Sequence, residues 1–338
     1  MNRNVGISLL RVCSMLMIVL CHYSNYIGLS WLAQFLNVGV YTFLLISGWL
    51  YSRKTIANPR EWILSRWKKL CIPVLVWMFI VIVYGIVIEK EFPPISDILL
   101  FATNLQGLSW VLPFFPHIHS DGVLGGLGNL WFVTAIMLCY MMLPAVKKHE
   151  QSGSKQNRIV YGIGSIVCFI FLGFFKINLA YFICFMIGYA LGKNDNEAVI
   201  GAREYIFLSI GMICAIIFRL VAKHFIDGTA GYDVIIVGIT HTVIAIWIFF
   251  TIRLLDEKIG WIHSLASSKV IQKCDAMSYF IYITHYYFLV RRFGLKNMVP
   301  GIPLQTVLFC VLSLATALIV KWISEKILSF RAKKVIGK

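Results

Sequence analysis

Two ionisable side chains, Arg11 and His22, stand inside the first apolar stretch of the chain, residues 5–27. At about 100° per residue, the eleven-residue step from one to the other makes three turns plus about 20°. Both therefore lie on one helical stripe, about 16 Å apart along the axis at 1.5 Å per residue. A permanent guanidinium charge and an imidazole that titrates near neutrality are costly in a bilayer, and such residues mark buried sites. A neutral imidazole takes a proton from a hydroxyl as a general base. The stripe thus reads as inward-facing, with His22 acting on a group that Arg11 holds. The competing reading is structural, with Arg11 bonded to helix-end carbonyls and His22 a satisfied interfacial histidine. The matched face and depth favour the functional reading.

Three further constellations bear reactive or recognition-type side chains. Arg66, Lys68 and Lys69 fall within four residues, beside Trp67 and just before Pro73. Such a cluster holds phosphates by charge-assisted hydrogen bonds, although taken alone it reads as ordinary positive-inside charge. Asn129, Trp131 and Phe132 open another apolar run, where paired aromatics commonly form an interfacial belt. In the stretch 278–285, Tyr282 precedes His285 by three residues and shares its helical face. His117 and His119 near Asp121 are too loosely spaced, in a Pro- and Gly-rich segment, to predict a metal site. The nine cysteines form no C-x-x-C pair and read as small buried hydrophobes.

The elements that must position these residues are membrane helices. The chain has 338 residues, 59% hydrophobic and 14% charged, against about 25% charged in a soluble domain. An ordinary soluble enzyme is excluded, and the fold class expected is all-α and polytopic. Ten spans are predicted, at 5–27, 32–51, 71–88, 129–146, 159–175, 179–192, 205–222, 234–252, 276–293 and 304–328. No polar segment is long enough for a separate soluble domain, so residues 1–338 are expected to form one membrane unit. The first span has no small-residue cleavage site and is expected to be retained. The net charge of +16 would suit a nucleic-acid binder, but its placement in short loops points to membrane topology instead. With the N-terminus inside, 22 of the 31 basic residues fall on the cytoplasmic side, so both termini are expected there. Arg291 and Arg292 then sit at the outer boundary, where they snorkel or bind an anionic group. The longest connection, 89–128, lies outside and is mainly acidic, and its Gly125, Gly126 and Gly128 read as a flexible lead into the fourth span.

Taken in order, these fragments resemble membrane-bound acyltransferase family 3, the integral-membrane acyltransferases of surface polysaccharides. Arg11, ten residues and His22 match its R-x10-H signature. Val38-Gly39-Val40-Tyr41-Thr42-Phe43 through Ser47-Gly48-Trp49-Leu50 is similar to its second helix. Arg66-Trp67-Lys68-Lys69 with Pro73 resembles its basic R-x-x-R element. Leu130-Trp131-Phe132 with Pro144 resembles its fourth helix, and Ser278-Tyr279 with Tyr282 and His285 resembles its S-Y-x-x-Y-L-x-H helix.

The resemblance implies transfer of an acyl group, commonly acetyl, from cytoplasmic acyl-CoA to a hydroxyl of an extracytoplasmic or lipid-linked carbohydrate. It implies His22 as the catalytic histidine, acting as base or as acyl acceptor. Arg11, Arg66, Lys68 and Lys69 would serve the acyl-CoA end, and Ser47, Asn129, Trp131, Tyr282 and His285 the acceptor or supporting shell. Acetyl-CoA would be a co-substrate with no permanently bound cofactor or metal. The partners would be membrane lipid and a surface polysaccharide or lipid-linked sugar, not nucleic acid, at a bacterial-type plasma membrane. Two positions depart from the pattern. Asn129 replaces a common histidine and cannot carry a proton, and Lys69 replaces an arginine, keeping the charge but losing the bidentate fork. A transporter or flippase for the same carbohydrates would also explain spans with buried Arg and His, though no glycine-interrupted helix pair repeats in the two halves. A non-catalytic partner in polysaccharide assembly is the third reading.

Overall fold

The computed structural model describes residues 5–108, 122–151, 179–194, 200–229, 231–290 and 294–336. Among the described residues every regular element is helical. In chain order these are α1 (Val5–Tyr26), α2 (Ser30–Leu36), α3 (Val38–Ser52), α4 (Pro59–Tyr84), α5 (Ile95–Ala102), α6 (Trp131–Gln151) and α7 (Leu179–Asn194). They continue with α8 (Ala202–Ile226), α9 (Val237–Lys258), α10 (Gly260–Ser267), α11 (Lys269–Thr284), α12 (Leu295–Met298) and α13 (Ile302–Ile336).

Seven helical stretches among the described residues are long and apolar enough to cross a membrane: Gly6–Tyr26, Ser30–Ser52, Pro59–Glu89, Gly125–Gln151, Ala202–Ile226, Gly231–Lys258 and Ile302–Phe330. They correspond to seven of the ten expected spans. The expected fifth span, 159–175, lies outside the described residues, as do His117, His119, Asp121, Arg291 and Arg292. The sixth is the 16-residue helix α7, shorter than the roughly 20 residues a bilayer asks for. The ninth differs from expectation: α11 ends at Thr284, and a single 3-10 turn, His285–Phe288, takes over. Lipid is the natural solvent of the helices most open to their surroundings. On α8, Ile206, Phe207, Ile210, Ile213, Ile217, Phe218, Leu220 and Val221 are all exposed, which a water-facing helix would not tolerate.

The chain divides into two compact units. The first comprises Met1–Thr55 and Asn178–Ser278. Its helix α1 stops in a Schellman motif: Leu29 N donates to Ser24 O at 2.7 Å and Gly28 N to Asn25 O at 3.1 Å. The motif needs a left-handed residue, and Gly28 supplies it at φ 86°. Ser14 Oγ donates to Gly39 O at 2.6 Å and locks α3 to the middle of α1. The closest helix contact in this unit is α3 on α7. A Cβ on Gly48 would overlap Phe185 O, and one on Gly188 would overlap Leu45 O. Gly188 and Gly192 are four residues apart, the small-x-x-x-small spacing that lets two backbones touch without a solvent-driven force.

The second unit comprises Ile56–Ile177 and Tyr279–Lys338. Helix α4 starts twelve residues before the expected span. Asn58 caps it, its Oδ1 accepting from Arg60 N at 3.1 Å and Glu61 N at 3.3 Å, with Pro59 as the first helical residue. Arg66, Lys68 and Lys69 therefore ride on a helix and not in the loop that the charge pattern suggested. The glycines before α6 form the 3-10 turn Gly125–Leu130, an ordered lead where a flexible one was expected.

The glycine contact sets a measurable expectation. Gly188→Val should destabilise the detergent-solubilised protein by about 1–3 kcal/mol through overpacking, read as a lower melting temperature. Gly211→Ala, with nothing within 4 Å of the added Cβ, should leave melting unchanged or slightly raise it.

Candidate functional site

In the first unit the stripe of α1 is anchored by a residue from a distant part of the sequence. Arg11 Nε lies 3.0 Å from Asp275 Oδ1, and Ser8 Oγ donates to Asp275 Oδ2 at 2.9 Å. The Asp275 side chain is fully buried, whereas that of Arg11 keeps 33% exposure. Ser278 Oγ donates to Asp275 O at 2.8 Å, so the serine of the Ser-Tyr motif ties down the turn that carries the carboxylate. The guanidinium is thus neutralised and aimed on one side, and open on another. His22 sits eleven positions along the same helix, half-buried and engaged in contacts of its own. Ser47 is buried on α3.

A second polar group in this unit joins α2, α8 and α9 through Gln34, Arg219, Lys223 and His241. Sequence reasoning placed Arg219 within a span and went no further. Its pairing with His241 needs three helices to meet, and no local spacing announces that.

In the second unit the expected supporting residues do come together. Asn129 Nδ2 donates to Tyr282 O at 2.8 Å, and the Tyr282 hydroxyl donates to Asn129 O. The Tyr282 ring meets Phe132 edge-on at 5.6 Å and lies 6.2 Å from the His285 ring. His285 is buried, and its Nδ1 faces two carbonyls, Ile281 O at 3.0 Å and Tyr282 O at 2.8 Å. Carbonyls only accept, so Nδ1 carries the hydrogen and Nε2 presents the lone pair. Asn129 Oδ1 is buried with no hydrogen-bond partner among the described residues. The Asn129 amide is therefore oriented by its nitrogen and offers an acceptor oxygen.

The basic cluster occupies the first half of α4. The Arg66 guanidinium lies 4.6 Å from the Trp62 ring, four residues earlier, and 3.5 Å from Ser65 Oγ. Lys68 is half-buried and Lys69 exposed, and immediately after them Leu70 O accepts from the Tyr279 hydroxyl at 2.6 Å. Trp131 is half-buried, edge-on to Phe132 at 6.0 Å. A cleft of about 790 Å3 runs beside this part of α4, with Arg60, Trp67, Asn104, Thr134 and Met141 among its walls.

The polar wall of that cleft is a network that sequence reasoning missed. Asn104 adopts a left-handed φ of 59°. Gln106 Nε2 bridges Asn104 Oδ1 and Leu130 O, both at 3.0 Å. Thr134 Oγ1 donates to Asn104 O at 2.9 Å and accepts from Gly107 N at 3.0 Å. The expected outer connection thus packs its residues 104–107 on α6. The only sequence signal was the polar pair Asn104 and Gln106 among leucines.

Apolar helices of membrane-crossing length, polar side chains paired in their interiors, and ionisable residues on the inner stripes define a polytopic membrane protein. Its family is more specific. A family model described as an acyltransferase domain, that of acyltransferase family 3, matches residues 4–322, and the chain belongs to this family. No curated protein and no solved structure matches it. The chain is accordingly a membrane-embedded acyltransferase.

The anchor generates an expectation about α1. Asp275→Asn removes the charge opposite Arg11 while keeping the shape. It should cost about 2–3 kcal/mol, the upper part of the range for a bond to a charged group. Ser8→Ala, which removes one partner of the buried carboxylate and leaves the ion pair, should cost less, about 1.5 kcal/mol. Unfolding curves of the purified protein in one detergent would check the order, which reverses if Asp275 is held mainly by Ser8.

Proposed function

We propose that the protein is an O-acyltransferase that moves an acyl group, acetyl in the simplest case, from cytoplasmic acyl-CoA to a carbohydrate hydroxyl on the far side of a bacterial-type plasma membrane. The observation that carries this reading is Arg11 and His22 on one continuous helix, Arg11 fixed by Asp275, in a chain matched by the acyltransferase family over residues 4–322. Family membership favours an enzyme over a transporter.

His22 takes the proton of the acceptor hydroxyl as the oxygen attacks the thioester carbonyl. The new C–O bond forms, the C–S bond breaks, and the departing thiolate receives a proton, giving an ester and free CoA. In the alternative course the acyl group passes first to the imidazole and then to the hydroxyl. The two courses differ in one observable: only the second accumulates acyl-protein when acceptor is withheld. Arg66 and Lys69, three residues apart on one side of α4, bind the CoA phosphates, and Lys68 adds its charge from another side of the same helix. Asn129, held by Tyr282, accepts a hydrogen bond from a substrate hydroxyl through Oδ1. His285, Trp131 and Ser47 belong to the supporting shell. Arg11 polarises or positions the donor, its charge already balanced so that it need not be desolvated anew.

His22→Ala should abolish transfer of radiolabelled acetyl from acetyl-CoA to host surface glycan while the protein remains folded in the membrane. Retention of acetylation in that variant would remove the mechanism. Arg66→Ala and Lys69→Ala should each raise the acetyl-CoA concentration needed for half-maximal rate by about tenfold, the loss of one charge-assisted contact. Unchanged CoA affinity would reassign the cluster to topology alone.

A further inference from the structure

In the first unit, the group at Gln34, Arg219, Lys223 and His241 carries more positive charge than it can balance. Arg219 Nη1 lies 2.6 Å from His241 Nε2, and Nη2 donates to Gln34 O at 3.0 Å. Lys223 Nζ donates to Gln34 Oε1 at 3.1 Å. His241 Nε2 also lies 3.0 Å from Gln34 O, and Tyr41 covers the imidazole with ring centres 5.0 Å apart. Among the described residues no carboxylate pairs with Arg219 or Lys223.

The hydrogens sharpen the imbalance. A guanidinium has donors only, so at 2.6 Å the Nε2 of His241 must accept, and the ring hydrogen sits on Nδ1. Arg219 is 3% exposed and His241 0%. Arg219 Nε and His241 Nδ1 are both buried without a partner among the described residues. Two donors are therefore enclosed with no acceptor, and the guanidinium, bonded to His241 and Gln34, has no carboxylate among the described residues to balance its charge. An unmatched donor costs about 1–3 kcal/mol, and an uncompensated buried charge costs more. Gln34 and Lys223 are only half-buried and form the approach to the enclosed pair.

We propose that Arg219, Lys223 and His241 form an oxyanion-binding site that takes a phosphate-type group. Such a group supplies one negative charge or more and several acceptor oxygens, enough for Arg219 Nε, His241 Nδ1 and, once Lys223 turns from Gln34, its ammonium. The same oxygens are borne by free phosphate and by the headgroup of an anionic lipid beside the exposed apolar face of α8. The site stands apart from the chemistry assigned to His22 and does not rest on it.

The test uses the full-length protein in an uncharged detergent, with melting followed in sodium phosphate against sodium chloride of matched ionic strength. A parallel arm places it in nanodiscs of phosphatidylcholine with or without phosphatidylglycerol. Binding to the folded state raises the melting temperature by linkage. Stabilisation is expected in at least one arm, and Lys223→Gln, at the half-exposed approach, should shift its concentration dependence about tenfold. Arg219→Gln should abolish it. If Arg219→Gln fails to fold, Lys223→Gln decides alone. Phosphate acting in detergent identifies a soluble oxyanion, and phosphatidylglycerol acting alone identifies a lipid headgroup. No stabilisation by either probe, or the same stabilisation in Lys223→Gln as in the native protein, overturns the proposal. Either failure leaves the acyl-transfer assay of His22 untouched.

Discussion

A charge placed inside an apolar helix needs a counter-charge, and for α1 the Arg11–Asp275 pair supplies it from within the protein. With Asp275 buried and tied by Ser8 and by its own carbonyl to Ser278, the guanidinium has one defined direction. The stripe on which His22 also lies is thereby fixed in rotation. Without the carboxylate, α1 would carry an unmatched cation and have reason to turn it elsewhere. The catalytic reading of His22 depends on this orientation more than on any contact the histidine makes itself.

The second unit answers the same demand with neutral groups. Asn129 and Tyr282 exchange two hydrogen bonds, one side-chain amide to a backbone carbonyl and one phenol to a backbone carbonyl. The loop residues 104–107 hand their polar groups to Leu130 and Thr134. Each bond joins an irregular backbone segment to a helix, which is where a membrane interior tolerates irregularity. Amide and hydroxyl side chains suit this role because they bond without bringing a charge that must be desolvated.

Much of the fold was legible because lipid imposes a simple rule: long apolar runs become helices. The Arg11–His22 stripe followed from helical period alone, whereas Tyr282 and His285 come near each other across the end of α11 and not along one helical face. Asp275 was not legible as the partner of Arg11, since the pair joins residues 264 positions apart and the aspartate falls just before the expected span 276–293. The early start of α4 has a local signal in Asn58-Pro59 with Glu61 following, which a reading of the basic residues as loop charge passes over. The break after Thr284 had no glycine or proline to mark it. That 3-10 turn is held by the local bonds of His285 Nδ1 to the carbonyls of the ending helix and by the packing of Tyr287 against Trp77 and Tyr84.

The turn at His285 couples a side chain to the backbone in a particular way. Its Nδ1 is committed to the carbonyls that the ending helix leaves behind, and that nitrogen bears a hydrogen whether the ring is neutral or cationic. Acidification or ligand contact can therefore alter only the opposite face of the imidazole. The bonds that hold the interruption in the helix are thus the same whichever charge the ring carries.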